Sequence, residues 1–472
     1  MTDVAIVGGG VTGLALLHEL RQRDMDAVLF EASDQVGGVV GTVSRDGLPL
    51  ELGPQRARLD PALRRLVDHL GLWDELVEGP GELQLKVYRS GRLRTAPLSL
   101  KDAVTTDLLS WRGKLRVLQE PFRARAAGEE SVGAFLRRAF GPEAYEALLA
   151  PLYGGLYASD PDHMLMRVSL GRLLEERGLA GRSLLRALLR GARQRKAAPV
   201  PVSFRSGLAT LPRALARKHA ACVHVNTPVT SLEPVPSPSG APPEGTPPSG
   251  AHERAPGPRW RLQLQNGTEE DAHSVVLAAP APASGRIRTT VAPEVAAALE
   301  GLRYNPLAVV HLLAEENLPW AGFQVAKGED TPLRGVTSHG ALFGRRGLHT
   351  AFLGGMGREE VVEWPDGGLG DAAREAFTRM TGQSASVLHV HRTRVPAWDR
   401  SWTALDRLEN HPLPEGLHLA GAWHARPGLP GRWREAQRLA ELLANAQAGA
   451  LPNAPSTPGR GGLPARPSGG KA

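Results

Sequence analysis

The start of the chain alternates between two kinds of hydrophobic pattern. Residues 4–7 and 27–30 are apolar runs of the length of a buried strand, and the apolar residues between them recur at helical spacing. A glycine-rich turn follows the first run, and Glu31 ends the second. The pattern predicts a β-strand, a turn, a helix and a second strand that ends on an acidic residue.

Further along, the spacing of apolar residues changes several times. Residues 60–195 have mainly helical spacing, whereas residues 202–285 and 304–395 alternate as strands do. The second alternating stretch therefore predicts a second sheet. A strand that runs into glycine near residue 421 and a helix over 431–447 complete the pattern.

The turn after the first strand has the Gly-x-Gly-x-x-Gly spacing of a dinucleotide-binding loop. Gly8 allows a tight turn, Gly10 lets the backbone approach a pyrophosphate, and Gly13 lets helix and strand pack closely. The start of the helix offers N–H groups and partial positive charge to phosphates. Glu31 is placed to accept from both ribose hydroxyls, and its charge disfavours the 2′-phosphate of NADP. The alternative is a glycine-rich turn that is only structural.

The choice between FAD and NAD is not made by these residues, but the next segment favours FAD. Gly37-Gly38 and Gly53-Pro54 let further backbone lie against a cofactor larger than NAD. Simple NAD enzymes usually continue directly into another strand–helix unit.

Composition narrows the class of protein. The 472 residues carry a net charge of +7 and a single cysteine, Cys222, which excludes a disulfide, an iron–sulfur cluster or a thiolate zinc site. The positive charge suits an anionic ligand or an anionic membrane surface, and no nucleic-acid motif appears. Without a signal peptide or a membrane-length apolar run, we expect a cytoplasmic protein.

Nucleotide-binding signals at the start of the chain, near residue 229 and near 421–436 indicate one domain interrupted by others. We predict a fold of α/β and α+β type, with a Rossmann-type domain, an inserted mixed-sheet domain and a mainly helical domain. The predicted boundaries are 1–60, 202–285 and 410–448 for the FAD-binding domain, 61–95 and 286–409 for the substrate-binding domain, 96–201 for the helical domain, and disorder at 234–258 and 449–472.

Several blocks of the sequence together resemble the flavin-dependent protoporphyrinogen and coproporphyrinogen oxidases, within the amine-oxidase-like flavoproteins. The segment 131–164 carries the most distinctive resemblance, through Pro151, Gly154-Gly155, Tyr157-Ala158 and Asp160-Pro161. The other blocks are EASDQVGG, ELGPQR, SFRSGLATLPRALA and LHLAGAWHARPGLP. The resemblance covers about residues 3–447.

This resemblance implies an FAD-dependent oxidase of haem biosynthesis, in which a meso carbon of a porphyrinogen gives a hydride to flavin N5 and oxygen becomes peroxide. It implies no catalytic side chain and no metal. The implied cofactor contacts are Gly8, Gly9, Gly10, Val11, Thr12, Gly13, Glu31, Ala32, Gly38, Val39, Gly53, Pro54, Gln55, Arg56, Val229, Ala422, Trp423, Pro427, Gly428 and Leu429.

The sequence indicates the substrate-binding residues less clearly than the cofactor-binding ones. Lys86 and Arg94 are candidate partners for the propionates, and Phe343 and Met356 are candidate ring contacts. Solvated charges and ordinary core packing are the competing interpretations. Protoporphyrinogen IX and coproporphyrinogen III are not distinguished, and an amine oxidase, a desaturase or a flavin- or tetrapyrrole-binding protein without turnover are the alternatives. A ferrochelatase is a candidate recipient of the product.

Residues 182–196 predict an amphipathic helix with leucines on one face and arginines beside them. Such a helix could rest on the inner face of an anionic cell membrane, where an insoluble porphyrinogen would collect. Packing of the helix within the protein, with a solvated basic rim, is the equally supported alternative.

Overall fold

The computed structural model describes residues 1–81, 84–97, 100–123, 129–193, 200–235, 259–405, 408, 413–421 and 428–447. Most of the segment predicted to be disordered, 236–258, and the tail 449–472 lie outside these residues. Pro234, which we placed at the start of that segment, is instead the last residue of a strand.

The strands are β1 (Thr2–Val7), β2 (Ala27–Phe30), β3 (Thr42–Arg45), β4 (Leu48–Glu51), β5 (Ala57–Arg58), β6 (Leu76–Glu78), β7 (Leu85–Arg89), β8 (Arg92–Thr95), β9 (Pro201–Phe204), β10 (Val223–His224), β11 (Val229–Pro234), β12 (Trp260–Leu264), β13 (Glu269–Leu277), β14 (Arg288–Thr289), β15 (Tyr304–Ala314), β16 (Gly322–Val325), β17 (Leu333–Ser338), β18 (Leu348–Gly354), β19 (Ala385–Pro396) and β20 (Leu417–Leu419).

The α-helices are α1 (Val11–Arg21), α2 (Pro61–His69), α3 (Leu100–Thr105), α4 (Trp111–Leu118), α5 (Val132–Phe140), α6 (Pro142–Ala144), α7 (Ala150–Tyr157), α8 (Leu170–Glu176), α9 (Leu184–Arg193), α10 (Thr210–Lys218), α11 (Ala281–Gly285), α12 (Pro293–Glu300), α13 (His339–Phe343), α14 (Asp366–Thr381) and α15 (Leu429–Gln447). A π-helical turn, Tyr145–Leu149, joins α6 to α7.

The first sheet has the strand order β10-β2-β1-β13-β12-β11-β14, and β20 also pairs with β13. Strand β1 runs parallel to β2 and β13, with Ile6 opposite Leu29 on one side and Val276 on the other. A central parallel strand is covered on both faces, which explains why β1 is a continuous apolar run. Because the strands are parallel, the glycine turn after β1 and Glu31 after β2 lie at the same edge of the sheet.

Helices α1 and α15 cover this sheet. Every residue of α1 from Val11 to Leu20 is buried, and α15 contributes Trp433, Leu439 and Leu443 to the same core. A helix that is buried on all sides has a weak amphipathic pattern, which is why α1 is apolar along most of its length. The two helices thus fix the position of the glycine turn at the start of α1.

The second sheet has the order β19-β15-β18-β17-β16-β7-β8. Its long antiparallel strands β15 and β19 confirm the predicted sheet over 304–395, but α14 interrupts that stretch and was not predicted. Leu369, Ala373 and Phe377 of α14 pack on this sheet. The observed mixture of sheets and helices confirms the predicted fold class.

Two smaller sheets are formed by strands β3 to β6 and β9. Strands β3 and β4 form a hairpin, and β9 pairs with both β5 and β6. Helices α3 to α9 form the mainly helical part, whose core includes Phe135 and Leu136. The hairpin and β9 matter for the site because β4 ends on Glu51 and β9 contains Ser203.

Candidate cofactor site

Two glycines of the predicted pyrophosphate turn, Gly8 and Gly13, have no room for a side chain. Gly8 has a φ of +116°, and a Cβ atom on it would lie 2.6 Å from the Ala279 backbone nitrogen. A Cβ on Gly13 would overlap the Gly8 carbonyl oxygen. A Cβ on Gly10, in contrast, would have no atom within 4 Å. The turn therefore packs tightly against the sheet through Gly8 and Gly13 and leaves free space beside Gly10.

Helix α1 begins at Val11 in the form expected of an anion site. Its N-cap residue is Gly10, no side chain caps the helix, and its first turn contains no acidic residue. The N–H groups of the first turn are therefore not bonded within the helix, and the helix dipole adds positive charge. Gly8, Gly9, Gly10, Val11, Thr12 and Gly13 thus form one continuous cradle that fits a pyrophosphate.

Glu31 stands at the end of β2 and touches this turn. Its Oε2 atom accepts a hydrogen bond of 2.6 Å from the Gly9 backbone N–H, and its Oε1 atom accepts one of 2.9 Å from the Ser33 N–H. The Glu31 backbone N–H donates to His224 O, and the N–H of Thr227 donates to the Glu31 carbonyl. The segment that leads to Val229 is therefore fixed beside Glu31, while Ala32 is exposed.

A second loop packs onto the glycine turn, and a third loop packs onto the second. The Gly37 N–H donates to Gly9 O at 2.8 Å, and a Cβ on Gly38, whose φ is +57°, would lie 3.3 Å from Gly10 Cα. A Cβ on Gly53 would overlap the Val39 carbonyl oxygen. The Val39 side chain itself is 52% exposed. The structure thus places three predicted cofactor segments, 8–13, 37–39 and 53–56, in one stack.

Gln55 fixes the third segment from inside. Its Nε2 atom donates to Gly53 O at 2.7 Å and to Glu51 O at 3.2 Å, and the residue is buried. Pro54 and Arg56, on either side of Gln55, are exposed. Pro54 and Arg56 therefore face outward, while the Gln55 side chain points into the protein.

Glu51 is a buried residue that the sequence motifs do not single out. Its carboxylate accepts from Thr42 Oγ1 at 2.7 Å and from the Leu208 N–H at 3.1 Å, and it pairs with Arg345 Nη1 at 3.2 Å. Burial raises the pKa of Glu51, and the Arg345 charge and these hydrogen bonds oppose that shift. An acidic residue at the end of an apolar strand was the available signal, since a buried carboxylate needs partners.

The last predicted cofactor segment is described only in part. Gly428, with a φ of +89°, and the buried Leu429 lie at the start of α15. Burial lowers the pKa of Arg432, one turn further along, to about 10. Ala422, Trp423 and Pro427 lie outside the described residues.

The two candidate propionate partners have partners of their own. Lys86 Nζ donates to Thr95 Oγ1 at 2.8 Å and lies 5.3 Å from the centre of the Trp320 ring. Arg94 forms an ion pair of 3.3 Å with Asp107. Lys86 and Arg94 therefore belong to the β7–β8 hairpin at the edge of the second sheet, each held by local contacts.

The two candidate ring contacts lie in different surroundings. The Phe343 ring is 6.5 Å from the ring of His339, whose Nε2 atom is 2.9 Å from Gln55 Oε1. Met356 is buried, and its N–H donates to Ala158 O at 2.9 Å. Phe343 thus lies close to the 53–56 segment, whereas Met356 contacts the distinctive 131–164 block.

The first sheet has parallel strands β2, β1 and β13 at its centre, with a glycine turn, a terminal acid and two further glycine loops at one edge. Joined to a second, mixed sheet, this arrangement is that of a flavoprotein oxidoreductase. Residues 11–443 match the flavin containing amine oxidoreductases, and the chain belongs to that family. Its cofactor is FAD. The open space at Gly10 and the uncapped start of α1 fit the pyrophosphate of that cofactor.

Two porphyrinogen oxidases are similar to the chain in sequence. The chain is 34% identical to protoporphyrinogen oxidase 1 of the chloroplast of Spinacia oleracea over 239 residues, which are 46% of this chain and 42% of that protein. It is 27% identical to coproporphyrinogen III oxidase of Bacillus subtilis over 406 residues, 77% of this chain and 79% of that protein.

A solved structure shares the whole fold. It is that of a protein from Exiguobacterium sp. 255-15, named only provisionally as a protoporphyrinogen oxidase. The superposition has a TM-score of 0.73 at 23% identity and covers 94% of this chain and 99% of the other. Within the described ranges, no helix combines the length and the apolar character that crossing a bilayer requires.

Proposed function

We propose that the chain oxidises a porphyrinogen, protoporphyrinogen IX or coproporphyrinogen III, to the porphyrin, with FAD as cofactor and oxygen as the final acceptor. The names of the spinach and Bacillus subtilis relatives support this substrate class. A role in haem biosynthesis and a ferrochelatase as the recipient of the product belong to the same proposal.

One observation of the structure carries the proposal. The segment that resembles the porphyrinogen branch is fixed to one end of the second sheet. Ala158 O accepts from Asn305 Nδ2 at 3.1 Å and from the Met356 N–H at 2.9 Å, and Ser159 Oγ donates to Ala397 O at 2.9 Å. Asn305, Met356 and Ala397 stand at the ends of β15, β18 and β19, so the distinctive block meets three strand ends together.

In this proposal the chain positions its ligands and carries out no acid–base step. We assign the pyrophosphate to residues 8–13, the adenosine ribose to Glu31 and Ala32, and the flavin side to Gly38, Val39 and residues 53–56. Val229 is assigned to the adenine, and the segment from Ala422 to Leu429 to the rest of the flavin. Bound FAD supplies the electron acceptor that no side chain can offer to a saturated carbon.

The test is a direct assay of the FAD-loaded protein. Each porphyrinogen is added separately, and porphyrin fluorescence and peroxide are followed together. We expect both products to rise together, and a preference for one porphyrinogen identifies the substrate. Turnover of an amine or a polyene with no porphyrin formed contradicts the proposal. So does a flavin that never bleaches with either porphyrinogen in the absence of oxygen.

We also propose that the helical part contacts an anionic membrane surface, but through a different helix from the one we predicted. Within α9, Leu184, Leu185 and Leu189 are half-buried and Leu188 is exposed, so the leucine face is partly covered by the protein. Residues 194–196 of the predicted helix lie outside the described residues. The exposed apolar face is on α4 and the turn after it. Four large side chains on it are mostly exposed: Trp111 (73%), Leu115 (58%), Leu118 (60%) and Phe122 (82%).

The spacing and the charges of this face support the membrane proposal. Trp111, Leu115 and Leu118 are four and three residues apart, so they share one side of α4. Lys114 Nζ lies 5.0 Å from the Trp111 ring, and the Arg186 guanidinium lies 6.0 Å from the Phe122 ring. Aromatic and aliphatic side chains edged by cations are typical of helices that lie in an anionic interface.

A further inference from the structure

A chain of buried polar side chains connects the second sheet to the 53–56 segment. The Arg345 guanidinium contacts Glu51 Oε1 at 3.2 Å and lies 3.4 Å from His339 Nδ1. His339 Nε2 lies 2.9 Å from Gln55 Oε1, and Gln55 holds the Gly53 carbonyl. Glu51 and His339 are fully buried, and Arg345 is 8% exposed.

The hydrogen bonds determine which nitrogen of His339 carries the proton. Both of the Gln55 Nε2 hydrogens are used on Glu51 O and Gly53 O, so Gln55 Oε1 needs a donor. His339 Nε2 lies 2.9 Å from that oxygen, and the Arg345 guanidinium beside Nδ1 favours the tautomer with hydrogen on Nε2. In that tautomer Thr350 Oγ1, also 2.9 Å from Nε2, is a second acceptor. The Nδ1 atom of His339 then accepts from Arg345. Burial and the Arg345 charge keep the pKa of His339 well below its ordinary value, in agreement with a neutral ring.

Arg345 and His339 together tie this row of buried side chains to three separate parts of the fold. Besides Glu51 at the end of β4, the Arg345 guanidinium donates to Ser203 Oγ at 2.8 Å and to Phe204 O at 3.0 Å, both in β9. His339 itself begins α13, which follows strand β17 of the second sheet, and its Nε2 atom also lies 2.9 Å from Thr350 Oγ1 in β18. The hairpin β3–β4, the three-stranded sheet and the second sheet are thus joined directly beneath Gln55.

We propose that Arg345 and His339 are positioning residues that hold the 53–56 segment in the form required at the flavin. The inference rests on the proposed assignment of that segment to the flavin side of the site. It adds that the geometry of the segment is set by the second sheet, through a neutral histidine with a defined tautomer. Loss of the His339–Gln55 bond leaves Gln55 Oε1 buried without this partner, so the Gln55 side chain and the segment are no longer tied to the second sheet.

His349, which precedes Thr350 in β18, provides a matched control for His339. His349 is as fully buried as His339, but it precedes Thr350, so its side chain points to the other face of the sheet. There its ring packs 5.0 Å from the Phe377 ring of α14. Replacing either histidine by leucine removes a buried imidazole, whereas only the change at His339 removes a link to Gln55.

The experiment compares His339→Leu, Gln55→Leu, the double variant and His349→Leu as FAD-loaded proteins. FAD dissociation, the visible flavin spectrum, the flavin midpoint potential and the unfolding midpoint are measured for each. We expect His339→Leu to raise the FAD Kd about tenfold, the effect of one lost hydrogen bond to a fixed group, and to shift the flavin spectrum. The double variant should be no worse than the single ones, because both break the same bond.

His349→Leu should leave the FAD Kd and the spectrum unchanged even where it lowers the unfolding midpoint. The inference is overturned if the two histidine variants have equal unfolding midpoints and both keep the original FAD Kd and spectrum. That result would show that these buried side chains only pack the core. If His339→Leu does not fold, His339→Asn makes the same test with a shorter polar side chain, and it leaves Gln55 and the Glu51–Arg345 pair in place. No readout uses a porphyrinogen, so a failure of the proposed function is seen separately.

Discussion

The carboxylate of Glu51 lies 3.2 Å from the guanidinium of Arg345, a residue 294 positions later in the chain. Both side chains are buried, so neither charge can be satisfied by bulk water. The carboxylate also accepts hydrogen bonds from Thr42, Leu208 and Ser203. The pair therefore stabilises the junction between the cofactor segment and the second sheet only while both members are present.

Arg345→Met is expected to lower the free energy of unfolding by about 3–5 kcal/mol, because it leaves the Glu51 carboxylate buried without a cation. The double variant Glu51→Gln, Arg345→Met should recover more than half of that loss, since its amide keeps the hydrogen bonds from Thr42 and Leu208. Urea unfolding of the FAD-loaded proteins measures both values. Equal losses in the single and double variants would contradict a stabilising charge pair.

Two glycines of the same turn should respond in opposite ways. Gly13→Ala forces a Cβ into the Gly8 carbonyl oxygen, so we expect loss of the fold. Gly10→Ala meets no atom within 4 Å, so its free energy of unfolding without cofactor should change by less than about 1 kcal/mol. Its methyl group would occupy the space assigned to the pyrophosphate, and we expect the FAD Kd to rise at least about tenfold.

Circular dichroism and FAD titration separate the two effects. Normal FAD binding by Gly10→Ala would show that the cofactor does not approach the turn at this residue. A stable, FAD-loaded Gly13→Ala protein would show that α1 can move away from the sheet. Gly367→Ala is the control, because a Cβ there also meets no atom within 4 Å, its φ is not in the left-handed region, and it lies in α14, away from the predicted site.

Acidification should destabilise the protein through histidines that are buried in the neutral form. Burial, together with the charges of His219 and Lys218, lowers the pKa of His18 from 6.5 to about 4. Between those values the unfolded chain binds a proton that the folded protein does not, so stability falls as the pH drops from 6.5 towards 4. At pH 5 the loss from His18 is about 2 kcal/mol, since one pKa unit corresponds to 1.36 kcal/mol.

The His18→Leu variant isolates this contribution. Unfolding by urea at pH 7 and pH 5 should show a smaller loss of stability in the variant than in the original protein. The difference between the two losses is the measured quantity, so any packing effect common to both pH values cancels. An unchanged pH dependence would mean that the His18–His219 contact, 2.9 Å between ring nitrogens, takes up the proton without cost.

Local pattern was sufficient to predict the first strand–helix–strand unit, because each of its parts is determined by neighbouring residues. The glycine spacing predicts a turn, and β1 and α1 follow from apolar runs of the right length. The signal for α14 was also present, since Leu369, Ala373, Phe377 and Met380 recur at helical spacing. The strand-like alternation on both sides of it concealed that signal.

The rest of the site depends on contacts between distant residues. Nothing near Glu51 indicates that Arg345 and Ser203 approach it, because three different sheets bring them together. Lys86 and Arg94 are predicted as candidate partners for the propionates, and the fold adds a local contact to each, with Thr95 and Asp107 respectively. A sequence shows which charges exist, and only the tertiary structure shows which of them are already paired.

The membrane proposal gives the last prediction. Replacing Trp111 and Leu115 by serine should reduce sedimentation with anionic vesicles about tenfold or more, because it removes two large apolar side chains from the exposed face of α4. Leu442→Ser is the control, since Leu442 is an exposed leucine on α15. Binding of the original protein should also weaken in high salt and on vesicles without anionic lipid, as attraction by Lys114 and Arg186 requires. Equal sedimentation of the double variant, the control and the original protein would exclude this face as the contact, whatever the substrate of the enzyme.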